Sequence, residues 1–193
     1  MTEYRRVRVP GATWFFTVGL AERRGNGLLV ESIDTLRSAF RVVRERHPLQ
    51  MDAVVILPDH LHCVWTLPEG DADYSTRWGL IKAKFSRSLN RGERRSASRV
   101  KRGERGIWQR RFWEHCIRDE GDYARHVDDV HWSLLRILCP RHSCIHAQRN
   151  PVKHGYVNRL MDWPHSSFHA HVKRGVYAAD WGGGEGVALN GAE

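Results

Sequence analysis

Residues 51–67, MDAVVILPDHLHCVWTL, decide the fold. Two apolar, strand-forming runs, 51–57 and 60–67, are interrupted at Pro58 and Asp59. They lie close enough in sequence to pair as a β-hairpin, although the turn is not of the common Asn-Gly kind. The stretch therefore predicts two adjacent antiparallel strands.

Two histidines occupy alternate positions in the second of these strands. Successive side chains of a strand point to opposite faces of the sheet, so His60 and His62 share one face while Leu61 points to the other. This placement allows one metal ion to be held, with open positions for a third ligand and a phosphate oxygen. Taken in isolation, alternating histidines are more often surface residues of an edge strand than ligands.

The periodicity of the remaining chain predicts the other elements of a single sheet with helices. Residues 13–20 (TWFFTVGL) and 107–118 have the composition of strands. Residues 32–47, 74–89 and 120–135 carry apolar side chains at helical spacing. The order strand, helix, strand, strand, helix, strand, helix predicts an α+β fold, a ferredoxin-like antiparallel sheet with helices packed on one face.

Length and composition predict one globular domain. A chain of 193 residues with 41% hydrophobic residues and 8 tryptophans is long and apolar enough to bury a core. We expect residues 1–181 to form this domain and the small, polar segment 182–193 to be a flexible tail. The chain contains neither an apolar run of membrane-spanning length nor a signal-like N-terminus, so we expect a cytoplasmic protein that does not bind membranes.

The positive charge of the chain is concentrated in one region. The formal net charge is +9, and the basic side chains cluster between residues 77 and 111. Such a one-sided stretch favours contact with nucleic-acid phosphates over a solvated charged face without a partner. We expect residues 91–106 to be a mobile basic loop. The predicted DNA-contacting residues are Arg77, Lys82, Lys84, Arg87, Arg91, Arg94, Arg95, Lys101, Arg102, Arg110 and Arg111.

Three blocks of sequence resemble the REP-associated tyrosine transposases, named for repetitive extragenic palindromes, a branch of the HUH single-tyrosine transposases. The blocks are residues 53–77 (AVVILPDHLHCVWTLPEGDADYSTR), 108–123 (WQRRFWEHCIRDEGDY) and 150–181 (NPVKHGYVNRLMDWPHSSFHAHVKRGVYAADW).

The resemblance implies a metal-dependent reaction on DNA. It implies a ferredoxin-like core, and a magnesium or manganese ion held by His60 and His62 with Asn150 available as a further ligand. It also implies nicking and joining of single-stranded DNA folded into hairpins. In this family a helical tyrosine attacks the phosphodiester and forms a 5′ phosphotyrosine, a covalent intermediate that divides strand transfer into two reversible steps. Both a monomer and a homodimer are compatible with the sequence.

The sequence departs from the family pattern at the nucleophile. The family carries a tyrosine, then three residues and then the Asn-Pro dipeptide, and alignment of HVDDVHW (residues 126–132) places Asp129 at the tyrosine position. Residues 133–149 resemble an insertion that separates Asn150 from its expected helical turn. Asp129 either adds a carboxylate to the metal site, attacks phosphate as a weaker nucleophile, or is a surface carboxylate, which we favour.

Two further groups have competing interpretations. Tyr123 lies six residues before Asp129, about 240° around a helix, so we expect it to pack in the core rather than replace the nucleophile.

The inserted segment contains four zinc-competent side chains at a spacing too tight for a usual finger, and we favour a flexible insertion. These four are Cys139, His142, Cys144 and His146. His115 lacks a catalytic partner in the sequence, and we expect it to be structural.

The sequence therefore supports a DNA-binding transposase-family protein whose strand-transfer chemistry is impaired at position 129. One alternative is a sequence-specific DNA-binding protein without catalysis, which the aspartate and the insertion favour. Another is an RNA-binding module, because sheets of this kind can stack bases on aromatic side chains.

Overall fold

A computed structural model describes residues 6–132, 157 and 159–181, and it contains four strands with helices packed against them. The strands are β1 (Thr13–Gly19), β2 (Gln50–Ile56), β3 (His60–Thr66) and β4 (Trp113–Cys116). The α-helices are α1 (Leu28–Glu31), α2 (Ile33–Arg46), α3 (Tyr74–Arg87), α4 (Ala97–Lys101), α5 (Glu120–Trp132) and α6 (Phe168–Lys173), and a 3₁₀ helix spans Leu160–Asp162.

The four strands form one antiparallel sheet in the order β2-β3-β1-β4. The predicted hairpin is present, because β2 and β3 pair from Gln50 opposite Thr66 to Ile56 opposite Leu61. Strand β1 lies between β3 and β4, so α2 connects β1 to the far edge strand and α3 connects β3 to the other edge. The predicted α+β class and antiparallel sheet are confirmed.

The first face of the sheet packs against α2 and α3 through aromatic side chains. Phe16 and Trp65 on the strands and Trp78 on α3 are fully buried in this core. The rings of Trp65 and Trp78 stack with centroids 4.6 Å apart, and Phe16 meets Trp78 edge-on at 5.5 Å. Burial of each such side chain stabilises the fold by roughly 1.5–3 kcal/mol, so this layer accounts for much of the stability.

The second face of the sheet carries a further helical layer. Phe15, Val55 and Val64 point to this side and pack with Val127 of α5 and Phe168 of α6. The prediction of helices on one face therefore describes α2 and α3, whereas α5 and α6 cover the opposite side.

The edge of β2 is covered by the segment that precedes α6. The main-chain N–H of Ile56 donates to the carbonyl of His165 (2.9 Å), and the N–H of Ser167 donates to the carbonyl of Val54 (2.8 Å). The Ser167 hydroxyl also accepts from the N–H of Val54 (2.8 Å). These bonds satisfy an otherwise open strand edge and attach the C-terminal block to the sheet.

Two segments of the structure differ from what the sequence predicts. Residues 91–106, expected to be a mobile loop, contain α4 and are attached to the end of α3 by Arg105, which pairs with Glu93 and donates to the carbonyls of Ser86 and Asn90. The predicted strand 107–118 pairs with β1 only over Trp113–Cys116, because the chain first bridges Leu20 at Trp108 and then leaves the sheet.

Several sequence predictions lie outside the described residues. They concern the insertion at 133–149 with its four zinc-competent side chains, the tail at 182–193, and Asn150. In the part of the chain that the structure describes, none of the helices has both the length and the apolar character that crossing a membrane requires.

His131 of α5 makes the stability of the second face dependent on pH. Burial, together with the nearby charge of His171, lowers the pKa of His131 to about 3. The unfolded chain takes up this proton near pH 6.5 and the folded chain does not, so the free energy of unfolding falls as the pH drops below that value. We expect H131F to reduce this fall by up to about 1.4 kcal/mol per pH unit, as measured by urea unfolding at pH 7 and pH 5.

H47F, at a half-buried histidine after α2, is the control and should keep the wild-type dependence. An unchanged pH dependence in H131F would contradict the assignment.

Candidate metal centre and DNA interface

His60 and His62 lie side by side on the second face of β3, as the alternation of the strand predicts. Both side chains are buried, with 1% and 5% of their surfaces exposed. Their ring centroids are 4.9 Å apart and the ring planes are nearly perpendicular, at 89°. The two imidazoles are therefore close enough to bind one ion between them.

The Nδ1 atom of each histidine is engaged by a neighbouring polar group. Nδ1 of His60 lies 2.6 Å from a carboxylate oxygen of Asp59 and 3.0 Å from a guanidinium nitrogen of Arg23. Nδ1 of His62 lies 2.9 Å from the hydroxyl of Thr17, which is the direct cross-strand partner of His62. A proton held on Nδ1 makes Nε2 the nitrogen with a lone pair for a metal, which is the usual role of such outer partners.

Asp59 is a buried carboxylate that remains ionised. Burial raises its pKa, but hydrogen bonds from His60 and from Nε of Arg23 (2.6 Å) more than offset this and hold the pKa well below the usual range. Its negative charge lies beside His60 and would favour a cation bound at that ring. The Pro58-Asp59 turn therefore supplies an orienting group for the site as well as the break between β2 and β3.

A cavity of about 290 Å³ opens beside His60. Two arginines, Arg23 and Arg111, reach it, and Trp113 provides an aromatic wall. Guanidinium groups bind phosphate through paired N–H donors, so the cavity has the chemistry of a phosphate site next to the histidines. Its lining also includes Thr17, Gly19, Gln109 and Phe112.

The donor set of His60 and His62 fits a divalent ion with open coordination positions. The Nδ1 atoms of both imidazoles are engaged by polar neighbours, and the adjoining cavity leaves room for further ligands. Magnesium prefers oxygen ligands, whereas manganese and other transition metals accept imidazole readily. The residues present therefore fit manganese better than magnesium.

Position 129 carries an exposed aspartate on α5 in this chain. Tyr123, which we considered as a replacement for the nucleophile, is half-buried against the second-face core, as expected of a packing residue. Burial, and secondarily the charge of Asp52, raises the pKa of Tyr123. A raised pKa disfavours the phenolate that attacks phosphate, so Tyr123 is poorly suited to the reaction.

The other described tyrosines are also held in structural contacts. The Tyr177 hydroxyl donates to Asp128 (2.6 Å), and burial followed by this bond raises the pKa of Tyr177. Tyr74 is buried on the first face, opposite the histidine pair, and donates to the carbonyl of Val7 (3.0 Å). Within residues 6–132 and 159–181, burial and hydrogen bonding favour the neutral phenol over an activated nucleophile.

Arg77 differs from the rest of the predicted DNA-contacting set. Only 2% of its surface is exposed, and its guanidinium donates to Asp71 (2.6 Å) and to the carbonyls of Asp73 (2.8 Å) and Pro48 (2.8 Å). These bonds fasten the start of α3 to the chain that leaves α2. This placement argues against a phosphate contact by Arg77.

The other predicted DNA-contacting side chains are exposed or half-buried around α3, α4 and the cavity. Lys82 is half-buried, and its ammonium donates to the carbonyl of Gln109 (3.0 Å) and lies 5.2 Å from the centroid of the Phe112 ring. Burial, with the nearby charge of Arg6, lowers the pKa of Lys82 to about 8. Exposed members of the set are Arg87, Arg91, Arg94, Arg95, Lys101, Arg102, Arg110 and Arg111, and Lys84 is half-buried.

The structure also assembles a group that the sequence analysis did not identify. His115 of β4 meets Asp122 and His126 of α5, and one ligand atom from each lies within 4.8 Å of the others. The i, i+4 spacing of Asp122 and His126 on a predicted helix was a detectable signal. The contribution of His115 depends on the pairing of β4 with the sheet, which sequence periodicity does not reveal.

Comparison with known proteins assigns the family. No protein-family model matches the chain. A REP-associated tyrosine transposase of Escherichia coli K12 is 43% identical over 183 residues, which cover 95% of this chain and 92% of the relative. The chain belongs to the REP-associated tyrosine transposases. A Haemophilus influenzae protein that carries the same family name is 41% identical over 192 residues, 99% of both chains.

A solved structure supports the assignment to the REP-associated tyrosine transposases. It is a member of the family bound to a REP hairpin, 41% identical to this chain, with a TM-score of 0.72. The match covers 100% of this chain and 98% of the other. The fold of this REP-associated tyrosine transposase is therefore that of a protein solved with hairpin DNA.

Asp59 provides a test of the metal centre. In D59N the side chain keeps its shape but loses the charge that orients His60, so we expect manganese affinity to fall by roughly 10- to 100-fold. Isothermal titration with Mn²⁺ measures this. D34N, at an exposed aspartate of α2, should bind manganese as the wild type does. If D59N binds manganese with wild-type affinity, Asp59 does not orient the ligand.

Proposed function

We propose that this protein binds hairpin-forming single-stranded DNA and positions a phosphodiester at a divalent metal centre held by His60 and His62. The observation that carries the proposal is the oriented histidine pair beside a cavity that Arg23 and Arg111 reach. The hairpin DNA bound to the related solved transposase supports this class of partner. The exposed arginines around α4 supply the charge for a polyanion of that size.

The side chains around the cavity have different roles in binding. Arg23 and Arg111 hold the anionic phosphate, while Asp59 and Thr17 orient the imidazoles through their Nδ1 atoms. Trp113, with 42% of its surface exposed at the cavity wall, offers a ring on which an unpaired base can stack. When bound, a divalent ion would polarise the phosphate and neutralise charge that develops on its oxygens.

Nicking and joining through a phosphotyrosine intermediate requires a tyrosine nucleophile. This chain carries a different residue type at the expected position. Asp129 stands where the family has its tyrosine, and a carboxylate attacks phosphate less well than a phenolate. We propose that strand transfer is impaired for this reason while DNA binding is retained. A second candidate function, sequence-specific DNA binding without catalysis, is favoured by the same aspartate.

Replacement of Asp129 tests which of these functions applies. With a labelled hairpin oligonucleotide and Mn²⁺, we expect D129Y to form a covalent protein-DNA adduct on denaturing gels and the wild type to form much less. D129F is the matched control, since it adds the ring without the hydroxyl. H60A/H62A in the D129Y background should remove the adduct. Hairpin binding by D129Y without any adduct would favour the non-catalytic function.

Because the pKa of Lys82 is lowered, we expect DNA affinity to depend on pH. With a pKa of about 8, Lys82 is largely charged at pH 7 and largely neutral at pH 9. If it contacts a phosphate, the slope of log affinity against log salt should fall in magnitude by about 0.9 between these pH values, the effect of one lost contact. Fluorescence anisotropy with a hairpin measures the slope. K82R should keep the same slope at both pH values, and the control K84R should behave as the wild type. Loss of the slope change in K84R rather than K82R would contradict the role of Lys82.

A further inference from the structure

We propose that His115, Asp122 and His126 form a second metal site, which binds a zinc-type transition-metal ion and joins β4 to α5. The proposal does not depend on the activity at His60 and His62. It rests on the distances, burial and donor chemistry of these three side chains.

The three side chains already lie at the spacing of a coordination sphere. Nε2 of His115 is 2.8 Å from Oδ2 of Asp122, and Nδ1 of His126 is 3.3 Å from Oδ1 of the same carboxylate. The two imidazole rings are nearly parallel, with centroids 4.5 Å apart and planes at 13°. Ligands about 2.1 Å from a tetrahedral zinc ion are separated from one another by roughly 3–3.5 Å. An ion could therefore enter with small side-chain movements.

The carboxylate of Asp122 is buried and ionised. Its side chain is 6% exposed, and burial by itself raises its pKa. Hydrogen bonds from His115, from the main-chain N–H of Arg118 (3.1 Å) and from Arg125 (2.9 Å) more than offset burial and lower the pKa below the usual range. A buried anion of this kind is ready to bind a cation.

The surrounding groups are compatible with an ion at this position. Nδ1 of His126 also lies 2.8 Å from the main-chain oxygen of Asp122, so an ion bound at Nδ1 would take the place of the proton shared with that oxygen. The Arg125 side chain is 73% exposed, so its guanidinium can move into solvent when a metal takes its place on Asp122. His115 and His126 are 22% and 15% exposed, which leaves access from solvent.

The donor set selects the type of ion. Two imidazoles and one carboxylate suit zinc, manganese, iron or nickel, whereas magnesium and calcium prefer oxygen ligands. Three protein ligands leave at least one position for water or an anion.

The proposed site is separate from the histidine pair on β3. Strand β1 lies between β3 and β4, and its Phe15 ring is 5.8 Å from the ring of His62 and 5.0 Å from that of His126. Ions that act together in two-metal catalysis are about 3.5–4 Å apart, which an intervening phenyl ring does not permit. The second ion would instead fasten the short edge strand β4 to the helix that carries position 129, and so stabilise the folded protein.

Zinc titration in a background without the other candidate ligands tests the proposal. In H60A/H62A/C139S/H142N/C144S/H146N we expect one Zn²⁺ per chain by isothermal titration and a higher unfolding temperature with Zn²⁺ than with Mg²⁺. Adding H126Q should weaken zinc binding by more than the roughly 10- to 100-fold typical of outer-sphere partners, and so should H115Q. H169Q, at a half-buried histidine of α6, is the matched control and should bind zinc unchanged.

Two results would overturn the proposal. One is that the background variant binds no zinc while its circular dichroism and cooperative thermal unfolding remain those of a folded protein, which would leave the cluster as a metal-free hydrogen-bond network. The other is that zinc binds equally well after H115Q and H126Q. If either substitution prevents folding, the Co²⁺-loaded background variant supplies the answer: visible d–d absorption without a thiolate charge-transfer band supports the site, and its absence overturns it.

Discussion

Strand β3 is buried on both faces of the sheet, and the rest of the structure depends on its register. Leu61 and Trp65 pack into the aromatic core of the first face, while His60 and His62 point to the second. Because side chains alternate with a period of two, a shift of one residue would turn the tryptophan out of its core and bury the imidazoles among apolar groups. The packing that stabilises the sheet therefore also fixes the geometry of the histidine pair.

Buried charge is the second constraint, and each buried ionised group has neighbours that offset the cost of burial. Asp59 is bonded to His60 and Arg23, and Arg77 is bonded to Asp71 and main-chain carbonyls. An ionised group taken out of water without such partners would cost several kcal/mol. These networks occur at a turn and at a helix start, where they fix the adjoining loops.

Helix α5 carries both packing residues and candidate site residues of this protein. Its apolar side packs Val127 and Val130 against the sheet, and the same helix carries Asp122, His126 and the exposed Asp129. Position 129, where we propose that the family's nucleophile would lie, is therefore on a helix whose other side is packed against the sheet. DNA recognition and strand cleavage place separate demands on the chain, since recognition relies on charge and shape and cleavage on one nucleophilic oxygen.

The sequence by itself determined the hairpin of β2 and β3, the common face of His60 and His62, and the helices α2, α3 and α5, because each follows from a period within a short segment. The tertiary structure decided which charges are buried. Arg77 counted as a basic surface residue in the sequence, yet its bond to the carbonyl of Pro48 spans 29 positions. The second helical layer and the meeting of His115 with α5 were likewise decided by contacts between distant segments. Periodicity reports which side of an element is apolar, whereas the partner that covers that side is set by the packing of the whole chain.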